Sequence, residues 1–238
     1  YKTEPKEEDW VLRDINLEVK KGEKVALVGP TGSGKTTILK LLNRLYDVQH
    51  GEVCFGGQDV RKLDLLELRR RFAVVLQDVY LFTGSIMDNL KLSDAVQKER
   101  VMHAADIVQA NSFVDRLPNG YDTQVKELGG NFSAGERQLL AFARALALDP
   151  DILVLDEATS NVDSEPEARL QNALDVLLEG RTALIVAHRL STIRKVDRIV
   201  VLQHGRIVEQ GSHDELMAQD GLYRNLAELQ FSAVTAEA

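Results

Sequence analysis

Gly29-Pro30-Thr31-Gly32-Ser33-Gly34-Lys35-Thr36 is the stretch that decides how this chain is read. The octet fits the phosphate-binding loop pattern: a glycine, four free positions, then Gly, Lys and Ser or Thr. Immediately before it, Val25-Ala26-Leu27-Val28 is a short apolar run that predicts a buried strand. After it, Ile38, Leu41, Leu42 and Leu45 recur at the i, i+3, i+4, i+7 spacing of an amphipathic helix. Strand, glycine loop, helix is the setting the motif needs. The glycines let backbone N–H groups turn inward as an anion cradle, and the helix adds its positive end. Lys35 is placed to reach the outer phosphates and the Thr36 hydroxyl to hold Mg²⁺. Glycine-rich turns also occur without a ligand, but the whole octet between a strand and a helix favours a nucleotide.

Bulk composition bounds the rest. The 238 residues, 44% apolar and 28% charged, suit a globular chain of one domain or one domain with a subdomain. A net charge of −8 argues against a general nucleic-acid binder, which shows a basic face. The single Cys54 allows no intrachain disulfide and suits a reducing compartment. No apolar run approaches the ~20 residues of a membrane-spanning helix, and no signal peptide is recognised. The chain opens at Tyr1 rather than Met and is expected to be a segment of something longer.

Outward from the loop, strands and helices alternate. Residues 2–9 are charged, with one proline, and read as a solvated loop. Trp10-Val11-Leu12 and Ile15–Val19 read as strand material, the second with period-2 alternation. A short strand and turn follow at 51–59, a helix at 63–71 and an apolar strand at 72–76 that ends at Gln77. Between about 84 and 150 helices dominate, at 85–90, 98–110 and 134–148, with 111–131 mostly loop around the turn signal Pro118-Asn119-Gly120. Ile152-Leu153-Val154-Leu155 is the strongest buried strand. A helix near Pro166 buries Leu170, Ala173, Leu174, Leu177 and Leu178, and Ala183–Ala187 is the next strand. Ile199–Leu202 and Arg206–Glu209 form a hairpin about His204-Gly205. Such alternation implies an α/β fold with a mostly parallel sheet and helices on both faces.

A phosphate loop needs a carboxylate for Mg²⁺ and a group to position the attacking water. The strand 152–155 delivers Asp156, placed to hold Mg²⁺ through water, and Glu157, placed as general base. His188 follows its own strand and is placed to contact the γ-phosphate and orient the base. Gln77 ends another strand in the same way, within reach of Mg²⁺ and the water. Ser133, Gly135 and the helix after them form a second anion site; Ser133 with Glu136 also fits a capping box.

Taken together these motifs resemble the nucleotide-binding domain of ATP-binding cassette transporters, along essentially the whole chain. Gly29–Thr36 is similar to Walker A, Gln77 to the Q-loop and Ile152–Glu157 to Walker B. Ser160-Asn161-Val162-Asp163 resembles the D-loop and His188 the switch histidine. Phe132–Gln138 resembles the signature Leu-Ser-Gly-Gly-Gln, departing from it at Phe132, Ala134 and Glu136. The resemblance implies a RecA-like P-loop NTPase core with an N-terminal antiparallel β subdomain and an inserted helical subdomain. It divides the chain into 1–83 (β subdomain and first part of the core), 84–150 (helical subdomain with the signature), 151–211 (second part of the core) and 212–238 (helical tail). ATP and Mg²⁺ are the implied cofactors. ATP is expected to contact Gly29, Pro30, Thr31, Gly32, Ser33, Gly34, Lys35, Thr36, Thr37, Gln77 and Asp163, together with Ser133, Gly135 and Glu136. Thr36, Gln77 and Asp156 are the metal contacts; Glu157, His188, Gln77 and Lys35 carry the catalysis. Tyr1 is the better match for the aromatic residue that stacks on adenine, and Trp10 is the alternative.

Thr123–Glu127 resembles the X-loop of exporters, Phe82–Asn89 the segment that receives the coupling helices, and Glu209–Leu216 the exporter C-terminus. An exporter-type ATPase is implied, normally fused behind a transmembrane domain at the cytoplasmic face of an inner or plasma membrane. Its partner is a second such domain, identical or homologous, arranged head to tail. Two other classes compete: a non-transport cassette protein, which carries two cassettes or a coiled coil, and a separate importer subunit. One cassette without heptads disfavours the first, and the X-loop-like stretch disfavours the second.

Overall fold

A computed structural model describes residues 10–76, 78–93, 96–156, 164–187 and 190–236. In chain order the strands are β1 (Lys24–Val28), β2 (Cys54–Phe55), β3 (Gln58–Asp59), β4 (Phe72–Val75), β5 (Gly84–Ser85), β6 (Gln124–Val125), β7 (Ile152–Asp156), β8 (Thr182–Val186), β9 (Arg198–Gln203) and β10 (Arg206–Gly211). The helices are α1 (Lys35–Leu42), α2 (Leu65–Arg70), α3 (Ile86–Lys91), α4 (Lys98–Ile107), α5 (Asn111–Val114), α6 (Ala134–Leu148), α7 (Ser164–Leu178), α8 (Leu190–Ile193), α9 (His213–Met217) and α10 (Leu222–Ala236).

The chain divides into two compact units, Tyr1–Arg69 with Val154–Ala158 and Thr182–Ala238, and Arg70–Leu153 with Thr159–Arg181. In the first unit the strands lie in the order β10-β9-β1-β8-β7. β1 pairs in parallel with both neighbours, Lys24 facing Ala183 on β8 and Val25 facing Arg198 on β9. β10 is antiparallel to β9, with a register shift between Ile207 and Glu209. Val25, Ala26 and Leu27 have no exposed surface, nor do Ile199 to Leu202. Burial on both faces is why these strands read as continuous apolar runs rather than alternating ones. In the second unit α6 packs on α4, α3, α7 and β4. Ile152, where β7 begins, donates its N–H to Arg71 O just before β4.

The fold is thus a mostly parallel sheet with helices, as the pattern predicted, with two local differences. Residues 10–19 form no strand. Their period-2 burial is nonetheless realised, with Ile15, Leu17 and Val19 partly buried and Asn16 and Glu18 exposed. The segment is held by isolated long-range bonds: Arg13 N–H to Gly205 O, the Arg198 guanidinium to Glu18 O, and the Arg206 guanidinium to the Asp14 carboxylate. Among the described residues near the N-terminal end, antiparallel pairing is confined to the β2–β3 hairpin, closed by Gly56-Gly57. The second difference is in 111–131, which is more ordered than a loop. It holds α5, two 3₁₀ turns and β6, the last pairing with β5.

Arg198 also forms an ion pair with Glu23 at 2.8 Å, on the turn that feeds β1. The Arg198 hydrogen bond holds the Glu23 carboxyl below its ordinary pKa, against a smaller opposing effect of burial. A depressed carboxylate contributes stability above its unfolded pKa and loses it as pH falls through the folded value. Glu23→Gln is therefore expected to cost about 1–2 kcal/mol at pH 7. The gap in urea midpoint between variant and parent should close as pH is lowered through the carboxylate range; a gap independent of pH would contradict this role.

Candidate functional site

The phosphate loop leaves the carboxyl end of β1 and enters α1, as its sequence context requires. Gly29 has φ 151° and lies so close to β9 that a Cβ there would be 2.1 Å from Leu202 O. Gly34, with φ 107°, is the residue before α1, and the helix start has no side-chain cap. The first-turn N–H groups therefore remain for an external acceptor. Gly205, in the β9–β10 turn, donates its N–H to Ser33 O at 3.2 Å and supports the loop from below.

Lys35 is buried, 7% exposed. Its ammonium donates to Gly29 O at 2.7 Å, Pro30 O at 3.0 Å and Ser33 Oγ at 3.4 Å. Among the described residues it makes no ion pair. Burial pulls its pKa below the usual ammonium value, and the charge of Asp156 at the end of β7 pulls the other way. A desolvated cation held by neutral oxygens favours an anionic partner. Thr36 is exposed at the start of α1 and Thr37 is partly buried behind it. With the close-packed glycine backbone and the uncapped helix, these residues fit a polyphosphate. The Thr36 hydroxyl and the Asp156 carboxylate are oxygen donors of the kind Mg²⁺ prefers.

The second candidate anion site lies at the start of α6. Ser133 Oγ accepts from the Glu136 N–H at 3.2 Å, and the Glu136 carboxylate accepts from the Ser133 N–H at 2.8 Å. The capping box is thus present. It uses an oxygen lone pair of Ser133 and leaves the hydroxyl proton to be donated. Gly135 is partly buried beside it, 3.8 Å from Leu170 at the position a Cβ would take. A cavity of about 310 Å³ opens at this helix start, lined by Ser133, Gly135, Glu136, Phe113, Arg116 and Arg169 among others. The two arginines were not singled out from sequence. They line the same cavity as Glu136, whose carboxylate is the signature position most at odds with an anion.

Trp10 lies with its ring against His50, centroids 4.8 Å apart, and is partly buried. Tyr1, Gln77, Glu157, Asp163 and His188 lie outside the described residues.

The family model for ABC transporters matches residues 12–160. The chain belongs to the ABC transporter family. It is 50% identical over 225 residues to the probable multidrug resistance ABC transporter ATP-binding/permease protein YheH of Bacillus subtilis, covering 94% of this chain and 33% of that protein. It is 49% identical over 230 residues to an ATP-dependent lipid A-core flippase of Alkalilimnicola ehrlichii, covering 96% of this chain and 39% of the flippase. A bacterial Atm1-family ABC exporter solved with ATP bound superposes with a TM-score of 0.85 at 41% identity, over 92% of this chain and 39% of the exporter. This ABC transporter chain thus spans 33–39% of the length of these relatives. No helix among its described residues is long and apolar enough to cross a membrane.

The loop geometry makes a stability prediction. Gly29→Ala should cost about 2–4 kcal/mol, from its contact with Leu202 O and backbone strain. Gly32→Ala, whose Cβ would meet nothing within 4 Å, should cost only the strain of its positive φ, about 1 kcal/mol. Equal urea midpoints for the two variants would contradict the close packing of Gly29 on β9.

Proposed function

We propose that this chain binds and hydrolyses ATP, giving ADP and phosphate, and that it powers export as half of a head-to-tail dimer. The observation that carries the proposal is the desolvated Lys35 ammonium in a glycine loop at an uncapped helix start. Gly29 to Thr37 cradle the phosphates, with Lys35 on the outer ones. Thr36, Asp156 and Gln77 would hold Mg²⁺, which supplies charge neutralisation on the phosphates. Glu157 takes a proton from the attacking water, and His188 holds that water and the γ-phosphate in line. Tyr1, or Trp10 if the adenine lies at the His50 side, stacks on the base.

The other half of each site comes from a second chain, identical or homologous. Its Ser133 hydroxyl and Gly135 N–H meet the γ-phosphate, Glu136 shapes the contact through its capping bond, and Asp163 lies near the shared face. The γ-phosphate completes the contact, so ATP closes the dimer and hydrolysis opens it. The same reading assigns 1–83 and 151–211 to the ATPase core with its β subdomain, 84–150 to a helical subdomain and 212–238 to a tail. Relatives named ATP-binding/permease proteins, of which this chain covers a third, support a transmembrane domain as the further partner. On this reading the chain works at the cytoplasmic face of an inner or plasma membrane. The substrate class is set by that domain.

Glu157→Gln is expected to lower hydrolysis by about 100-fold or more while ATP with Mg²⁺ shifts the chain to a dimer in light scattering. Near-parental turnover would remove Glu157 from the base role. Lys35→Ala should weaken binding of a fluorescent ATP analogue by about 10–100-fold, the worth of a charge-assisted bond. Unchanged affinity would count against the loop assignment.

A further inference from the structure

Arg144 interrupts an otherwise apolar stretch of α6, where Leu139 to Ala143 and Ala145 to Ala147 are buried. Its guanidinium donates to Asn89 O at 2.8 Å, Tyr80 O at 3.2 Å and Asn89 Oδ1 at 3.4 Å. Asn89, 2% exposed, in turn holds Phe82 by both backbone groups. Its Oδ1 accepts the Phe82 N–H at 2.7 Å, and its Nδ2 donates to Phe82 O at 2.8 Å. Arg144 also lies 6.0 Å from the Phe82 ring centroid, within cation–π range. Between the two held residues, Leu81 is buried beside Gly129. Nearby, the Asn131 side chain bonds Lys126 N–H and Gln124 O, tying the X-loop-like stretch to the residues before α6.

The outcome is unusual. Tyr80 and Phe82 stand 55% and 62% exposed, yet the backbone beneath them is fixed by the buried Asn89 amide and the partly buried Arg144 guanidinium. Among the described residues Arg144 has only neutral oxygen partners, and burial pulls its pKa down. A desolvated charge is costly, and a fold that needs only packing is as stable or more so with an apolar residue there. Holding two aromatic rings outward suits a surface that meets another structure.

We propose that Arg144 is a positioning residue that joins the signature helix to the Tyr80–Phe82 loop, so that closure of the ATP dimer reaches the face that meets the membrane-spanning portion. The proposal rests on the dimer reading above. Lysine at 144 keeps the charge but lacks the fork that reaches Tyr80 O and Asn89 together.

Hydrogen exchange of the 238-residue chain in the Glu157→Gln background tests it. ATP with Mg²⁺ should slow exchange at 133–137 and at 80–83 in the parent. In Arg144→Lys the slowing at 133–137 should persist while that at 80–83 falls by at least about 5-fold, equivalent to roughly 1 kcal/mol of lost coupling. If the lysine variant does not fold, Arg144→Met, which removes the partly buried charge, should show the same split. Parental slowing at 80–83 in the folded variant overturns the proposal. Loss at both segments assigns Arg144 to the fold of α6 and also overturns it. If ATP slows neither segment in the parent, the dimer reading fails and the proposal with it.

Discussion

A lysine ammonium withdrawn from water and held by three neutral oxygens is the constraint on which the rest of the structure depends. Lys35 occupies that position because β1 is buried on both faces between β8 and β9, and because Gly29 lets the chain turn against Leu202 O. The β9–β10 turn then meets Ser33 from below through Gly205, which itself has no room for a side chain against Val11. Sheet order, glycine positions and the buried cation are therefore one arrangement. Loop, strand and turn support a site whose net charge, without a ligand, is unfavourable to bury.

The signature region solves a different problem. A helix start that is to bind an anion cannot also be fully capped, yet a bare helix end is unstable. Ser133 is suited to both needs, because a hydroxyl accepts from the Glu136 N–H and keeps its own proton. Glu136 fits the box as well as glutamine does, but brings a negative charge. Arg116 and Arg169 line the same cavity.

What was legible in the sequence was mostly local. The octet sits between β1 and α1 because strand, turn and helix are all encoded within about twenty adjacent residues. The capping box and the β9–β10 hairpin, with His204 and Gly205 both at positive φ, are likewise short-range. Residues 10–19 read as strands because alternation records which side chains are buried. It does not record whether a ladder partner is present, and here the bonds go to Gly205 and to the Arg198 side chain. Arg144 left only a faint trace, one charge in an apolar run. Its meaning depends on Asn89, 55 positions away, which no local pattern reveals. The resemblance ranks Tyr1 above Trp10 as the residue that stacks on adenine, and Trp10 turns one ring face to His50.

Mixing two inactive chains tests the central claim, that the phosphate loop is half of a site completed by a second chain. Lys35→Ala removes the cation but keeps Ser133. Ser133→Asp keeps a good helix cap but sets a negative charge where the γ-phosphate is held. Each alone should be inactive as an ATPase. Mixed, a head-to-tail dimer assembles one site from the intact Lys35 of one chain and the intact Ser133 of the other, and hydrolysis should return. No recovery on mixing, with both variants folded, would contradict the account.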